Sequence, residues 1–320
     1  MSEIAIDSPS RPLSALVASV PGVAWILGLL LIGFTVFSRD FLTGPNLHNI
    51  GLQSVILLIL ALPQTMIIMT EGCDIAAGAV LTLASVMLAW VLVHDGSLPM
   101  ALAAALATGL MFGLANGMLV ALLKMPPFVV TLGTMGVAQG LALVVTDGQS
   151  IVVSSDALQA VYGGNLAGVP LPLLIGAAVY AFSHMLLYHT RFGTYVFALG
   201  GNAEALKLAG IRADAYLIGV YVLGGLMAGL AALILTARMS SGHPTSAIGM
   251  EFDAIAAVIV GGTSFEHGKG WLFGTLLGVV AVGVLRNGLN LLTIPSSAQV
   301  ACIGLLVIVA LFIDGLKGKK

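Results

Sequence analysis

Apolar stretches of membrane-spanning length follow one another along this 320-residue chain, divided by short polar connections. A helix needs roughly 20 apolar residues to cross the hydrocarbon core. The pattern predicts about ten helices, over residues 21–37, 48–70, 75–93, 98–121, 127–146, 171–188, 215–237, 252–264, 271–292 and 298–313. The eighth is short for a span and runs into "GGTSFEHGKG", which reads as a half-length or tilted helix buried in protein. The first apolar run lacks a small-residue cleavage pattern at its end, so it reads as a retained span and not a removed signal. The expected fold class is an all-α polytopic membrane protein. A tail over 1–20 precedes one transmembrane domain over 21–314, and a basic tail covers 315–320.

Composition strengthens this reading. Hydrophobic residues make up 59% of the chain, charged residues only 8%, and mean hydropathy is +1.08. A soluble domain carries about 25% charged residues. The 40 glycines suit close backbone approach between apolar helices. A net charge of −2 offers no basic face for nucleic acid. Cys73 and Cys302 both lie in or beside apolar stretches and read as small hydrophobes, not as a disulfide.

Charge also sets an expected orientation, because Lys and Arg concentrate in cytoplasmic loops. With the N-terminus inside, the cytoplasmic side receives Arg11, Lys124, Arg191, Lys207, Arg212, Lys269, Lys317, Lys319 and Lys320. The outside receives Arg39 and Arg238, and Arg286 lies within a span. Both termini are therefore expected to be cytoplasmic. The longest outside loop, Thr146 to Pro170, carries Asp147 and Asp156 but no Lys or Arg.

This orientation puts "GNAEALKLAGIR", Gly201 to Arg212, in a cytoplasmic loop spanning about 189–214. Asn202 is suited to cap free amides of a first helical turn. Glu204 sits where the helix dipole favours an anion, and Gly210 fits the left-handed position that ends a helix. The seven residues between these caps give about 10 Å of helix. Ala205, Leu206 and Ala209 are expected on one face, with Glu204 and Lys207 elsewhere. Such a helix either rests on lipid headgroups or docks a cytoplasmic partner.

"EALKLAG", Glu204 to Gly210, resembles the E-A-A-x-x-x-G loop of permease subunits in bacterial ABC importers. Further stretches are similar to the ribose-type sugar permeases, to which branched-chain amino-acid permeases are more distantly related. These are "MTEGCDIAAGAVLTL" (Met69 to Leu83), "PPFVVTLGTM" (Pro126 to Met135), "FDAIAAVIVGGTSFEHGKGWLFGTLLG" (Phe252 to Gly278) and "RNGLNLL" (Arg286 to Leu292). Leu206 stands where the loop pattern has alanine, which implies an altered docking face. Glu71 stands where a glycine is usual, and His267 occupies a normally glycine-rich turn.

The resemblance implies a non-catalytic subunit that couples to ATPase subunits through Asn202, Glu204, Ala205, Leu206, Lys207 and Gly210. ATP and Mg would be held by that ATPase, with no cofactor on this chain. It also implies a second permease chain, identical or paralogous, and an external solute-binding protein, with membrane lipid around the whole. No Walker A loop contradicts this: in "GTSFEHGKG" five residues separate Gly262 from Gly268, and Gly270 follows Lys269. The six histidines offer no metal-ligand spacing.

Ionisable groups near membrane depth mark functional candidates. "EGCDIAAGAV" (Glu71 to Val80) and "EFDAIAAVIV" (Glu251 to Val260) look alike, and Asn116-Gly117 and Asn287-Gly288 follow in each half. This is the pattern of an inverted repeat, with the first acidic cluster toward the inside and the second toward the outside. Asp74 and Asp253 read as N-caps of the third and eighth spans or as pathway residues. Gln64, Thr65, Asn116 and Asn287 offer neutral hydrogen bonds either to a polyhydroxylated solute or between helices, and Pro63 loosens the helix beside Gln64. Two alternatives to the sugar importer remain open here. One is a secondary transporter that couples protons through Glu71 or Asp74, with a desolvated carboxyl. The other is a permease for branched-chain amino acids.

Overall fold

The computed structural model describes residues 21–265 and 268–317. The expected tail over 1–20, with Arg11, and also His267, Lys319 and Lys320 lie outside the described residues. Among the described residues twelve helices follow one another: α1 (Gly22–Phe37), α2 (Gly44–Met69), α3 (Ala77–Val93), α4 (Leu98–Ala121), α5 (Pro127–Thr146), α6 (Asp156–Gly163), α7 (Leu171–His189), α8 (Arg191–Leu208), α9 (Ala213–Met239), α10 (Met250–Val260), α11 (Leu272–Leu291) and α12 (Ser296–Lys317). Every apolar stretch of the sequence coincides with one of them.

Among the described residues six helices (α2, α4, α5, α7, α9 and α11) are long and apolar enough to cross a membrane. Gly22–Phe37, Ala77–Val93 and Ser296–Val309 are shorter apolar helices. The chain is a multi-pass membrane protein. Its outer surface carries Leu29, Met111, Val144 and Phe312 largely exposed, a belt that water would not tolerate. The most apolar windows of α2, α9 and α11 are 89%, 67% and 67% buried, against 22–28% for α4, α5 and α7. The first three form the centre and the others surround it.

Small residues let the centre close. A Cβ added at Gly109 of α4 would overlap the Gly225 carbonyl of α9, and one at Gly225 would overlap that of Gly109. The two backbones touch there, as small residues permit in apolar helix pairs. Polar pairs then join the inner helices. Thr65 and Thr275 hydroxyls lie 2.7 Å apart between α2 and α11, and Ser85 and Thr236 lie 2.8 Å apart between α3 and α9. Asn46 and Asn287 exchange two amide bonds of 2.9 Å.

Two regions differ from the sequence expectation. The segment taken as a cytoplasmic loop from 189 is helical from Arg191, with Thr190 capping its start. The long loop after α5 folds into α6, capped by Ser155, and into two short antiparallel strand pairs. One of these joins Ile151–Val152 to Ser241–Gly242, directly after α9. Contacts this far apart in sequence leave no local periodicity to read.

The eighth stretch is a half-length helix. α10 has 11 residues, about 16 Å of rise, and most of it is buried. The two cysteines are free and half-buried.

Candidate functional site

The capped segment, which adjoins the start of α9, and the acidic clusters are the two places where the fold gathers chemistry. At Asn202 the α8 backbone opens to φ −164°, ψ 94°, which divides the helix into two pieces. Asn202 Oδ1 then accepts from the Ala205 amide at 2.9 Å and caps the second piece. At its far end Gly210 takes φ +77°. The Gly210 amide donates to Lys207 O at 3.0 Å and the Ile211 amide to Leu206 O at 3.1 Å. This pair of bonds is the Schellman ending that a left-handed residue makes possible.

Burial on this helix falls on one side chain. Leu206 is buried while Ala205 and Ala209 are exposed with Glu204 and Lys207. The break at Asn202 stands the short piece on the end of the molecule, so one side chain anchors it. Leu206 therefore sets how the helix is seated. The apolar group presented outward is Leu208, 91% exposed. Behind it, a Cβ at Gly200 would overlap the Met69 carbonyl and lie 2.6 Å from Gly268 Cα. The end of α2 and the turn before α11 thus rest directly on α8. An exposed Lys124–Asp214 ion pair of 2.7 Å ties the α4–α5 link to the start of α9 at the same end.

The first acidic cluster splits by role. Glu71 is exposed and takes φ +59° just after α2. The Gly72 amide donates to Ile67 O and the Glu71 amide to Ile68 O, both at 2.9 Å, so Glu71 occupies the position that glycine usually fills. Its exposure removes the desolvation on which proton coupling through Glu71 depended. Asp74 is buried, and its Oδ1 accepts from the Ala76 amide at 2.8 Å at the start of α3.

The second cluster is not arranged as expected. Asp253 is the fourth residue of α10, not its cap. The N-cap is Gly249, and Glu251, the second helical residue, accepts from the Gly249 amide at 3.1 Å. The Glu251 carboxylate also lies against Gly78, in the first turn of α3, where an added Cβ would overlap it. The start of α10 therefore faces the first turn of α3, four residues beyond Asp74.

Asp253 turns the other way and meets Arg286 of α11 at 2.5 Å. This pair lines a cleft of about 420 Å³ among α2, α9, α10 and α11, together with Gln53, Ser54, Arg238, Ser246 and Asn290. Arg238 and Met239 end α9, whose first residue adjoins the capped helix, so the cleft belongs to the opposite half of the molecule. Ser54 Oγ, Ser246 Oγ and Arg286 Nε are buried without a hydrogen-bond partner among the described residues.

Of the seven pathway candidates, Asp253 alone lines this cleft. Thr65 and Asn287 use their polar groups between helices. Gln64 Nε2 and Asn116 Oδ1 are buried without partners among the described residues, away from the cleft. Sequence reasoning missed Ser54, Ser246 and Arg238 as lining residues. The signal for Arg286 was present, since an arginine inside a span is as costly as the acids that were singled out.

The chain matches the family described as branched-chain amino acid transport system / permease component over residues 46–311. It is 38% identical over 287 residues to the ribose import permease protein RbsC of Escherichia coli (strain K12), covering 88% of this chain and 89% of that protein. The ribose import permease protein RbsC of Bacillus subtilis (strain 168) is 36% identical over 290 residues, with 90% of each chain covered. The L-arabinose transport system permease protein AraH of Escherichia coli (strain K12) is 32% identical over 298 residues, 93% of this chain and 91% of that one. No solved structure matches the chain.

Proposed function

The chain belongs to the family of branched-chain amino acid transport system permease components, and from that premise we propose that it is the membrane subunit of an ATP-driven importer for a sugar. It is a non-catalytic transport subunit. The observation that carries the sugar reading is similarity along nearly the whole chain to permeases named for ribose and arabinose import. The family description keeps branched-chain amino acids in view, and the cleft is lined by Ile, Leu and Met as well as by Arg, Asp, Ser, Gln and Asn, which supply donors and acceptors for hydroxyl groups.

In this reading the ten apolar helices all cross or enter the membrane, with both chain termini cytoplasmic. The distribution of basic residues supports this: Lys124, Arg191, Lys207, Arg212 and Lys269 fall in or beside the connections assigned to the capped-helix side, and Arg39 and Arg238 in those assigned to the other. The halves containing α3 and α10 act as an inverted pair whose short helices start at a common centre. Partner subunits hold ATP and Mg. A second permease chain, identical or paralogous, completes the membrane unit, and an external binding protein delivers solute.

Asn202, Glu204, Ala205, Leu206, Lys207 and Gly210 form the coupling element. ATP binding draws the partner ATPases together and shifts this helix. Close packing of Gly200 on Met69 and Gly268 hands the shift to α2 and to the turn before α11, whose far ends line the cleft. Solute then passes by Asp253, with Gln64, Asp74 and Asn116 as further polar contacts along the inner helices. Co-purification tests this. Glu204→Lys should lower the amount of ATPase retained while membrane insertion is unchanged; full retention would count against the coupling role.

A further inference from the structure

The cleft holds an arginine–carboxylate pair beside two hydroxyls, and this combination has a ligand chemistry of its own. Asp253 neutralises Arg286, and Arg238 is exposed to solvent. Apart from the solvent-facing Arg238, what the cleft leaves unsatisfied is hydrogen bonding. Ser54 Oγ and Ser246 Oγ lack partners among the described residues, as does the buried Nε–H of Arg286. Buried polar atoms without partners cost free energy until a ligand or water supplies them. The cleft, at about 420 Å³, falls within the ~300–1,000 Å³ typical of small-molecule pockets.

Two adjacent hydroxyls of a sugar match this set. One donates to the Asp253 carboxylate and accepts from Arg286, and its neighbour exchanges bonds with a serine hydroxyl. Both contacts to the ion pair are charge-assisted, the stronger kind. Resting on the importer reading above, we propose that each permease chain carries its own solute subsite, inside one chain, where Asp253, Arg286, Ser54 and Ser246 select a neutral vicinal diol. The four residues come from α2, α10, α11 and the link between α9 and α10, so no second chain is needed to form the site.

Protection from a thiol reagent tests this separately from transport. Ser246→Cys is made in a Cys73→Ala, Cys302→Ala background and expressed with its native partners. Right-side-out vesicles, washed free of soluble proteins, are treated with a membrane-impermeant methanethiosulfonate. D-ribose at ten times its dissociation constant should slow labelling about tenfold. The 2,3-O-isopropylidene derivative, whose diol is blocked, should not slow it. Adding Asp253→Asn should weaken ribose roughly tenfold, so the same concentration slows labelling only about twofold. Equal protection by the blocked sugar would overturn the proposal, as would protection untouched by Asp253→Asn. Stronger protection by ribonate than by ribose would show an anion site instead. ATP-dependent uptake measured in the same vesicles reports on the importer reading independently.

Discussion

At one end of the molecule, the helix from Ala203 to Leu208 is held by bonds among neighbouring residues: Asn202 to Ala205, Gly210 to Lys207 and Ile211 to Leu206. At the other end, the cleft depends on Asp253 and Arg286, 33 positions apart, and on Ser54 some 200 residues earlier. The first needs only local backbone chemistry. The second exists only when four helices pack. On the proposed reading, the helix that a partner grasps and moves is locally self-contained, and the solute site is distributed over the elements that would move. A local element can shift as a unit without unmaking its own bonds, whereas small displacements of any lining helix change the cleft.

The comparison breaks most visibly at the cleft. Asp253→Ala leaves Arg286 without its counter-charge, at a cost of about 1–3 kcal/mol after allowance for the guanidinium's partial exposure. It should appear as a clear fall in Tm of the purified permease. An unchanged Tm would mean that the pair contributes nothing to packing. The matched change at the other end is Gly210→Val, which forces a branched residue into φ +77° at about 1–2 kcal/mol. That cost falls on the short helix alone. The expected result is lost ATPase retention with the permease's own Tm nearly unchanged, and a large Tm fall would deny that the helix is self-contained. Asn202→Ala removes one cap bond, about 1 kcal/mol, and should reduce retention less than Gly210→Val. Glu71→Gly sharpens the comparison with the opposite sign. It relieves a left-handed glutamate and should stabilise the protein by about 1 kcal/mol, read as a small rise in Tm.

The same division governs what could be read in advance. Helix positions were legible because each span carries its own apolar run. Asn202 and Gly210 were legible because capping depends on residue type at fixed offsets. Glu71 announced itself as an oddity, and its left-handed φ explains why glycine is the usual occupant. What stayed hidden rests on tertiary geometry. Nothing local tells that Leu206 points inward and Leu208 outward, because the break at Asn202 decides it. Nothing local tells that Glu251, not Asp253, accepts from the Gly249 amide at the start of α10, or that Glu251 reaches the first turn of α3. Nor does anything local tell that the Glu251 carboxylate comes to lie against Gly78, four residues after Asp74. Ser54 and Ser246 carry no sequence signal, since an isolated serine in a span or loop is commonplace.

The central claim is that this chain is a passive gate driven from the capped helix, and uptake into reconstituted vesicles tests it most directly. Labelled ribose should accumulate only when the permease, its ATPase and binding protein, and ATP on the ATPase side are all present. Accumulation driven by a pH gradient with this chain alone would contradict the account.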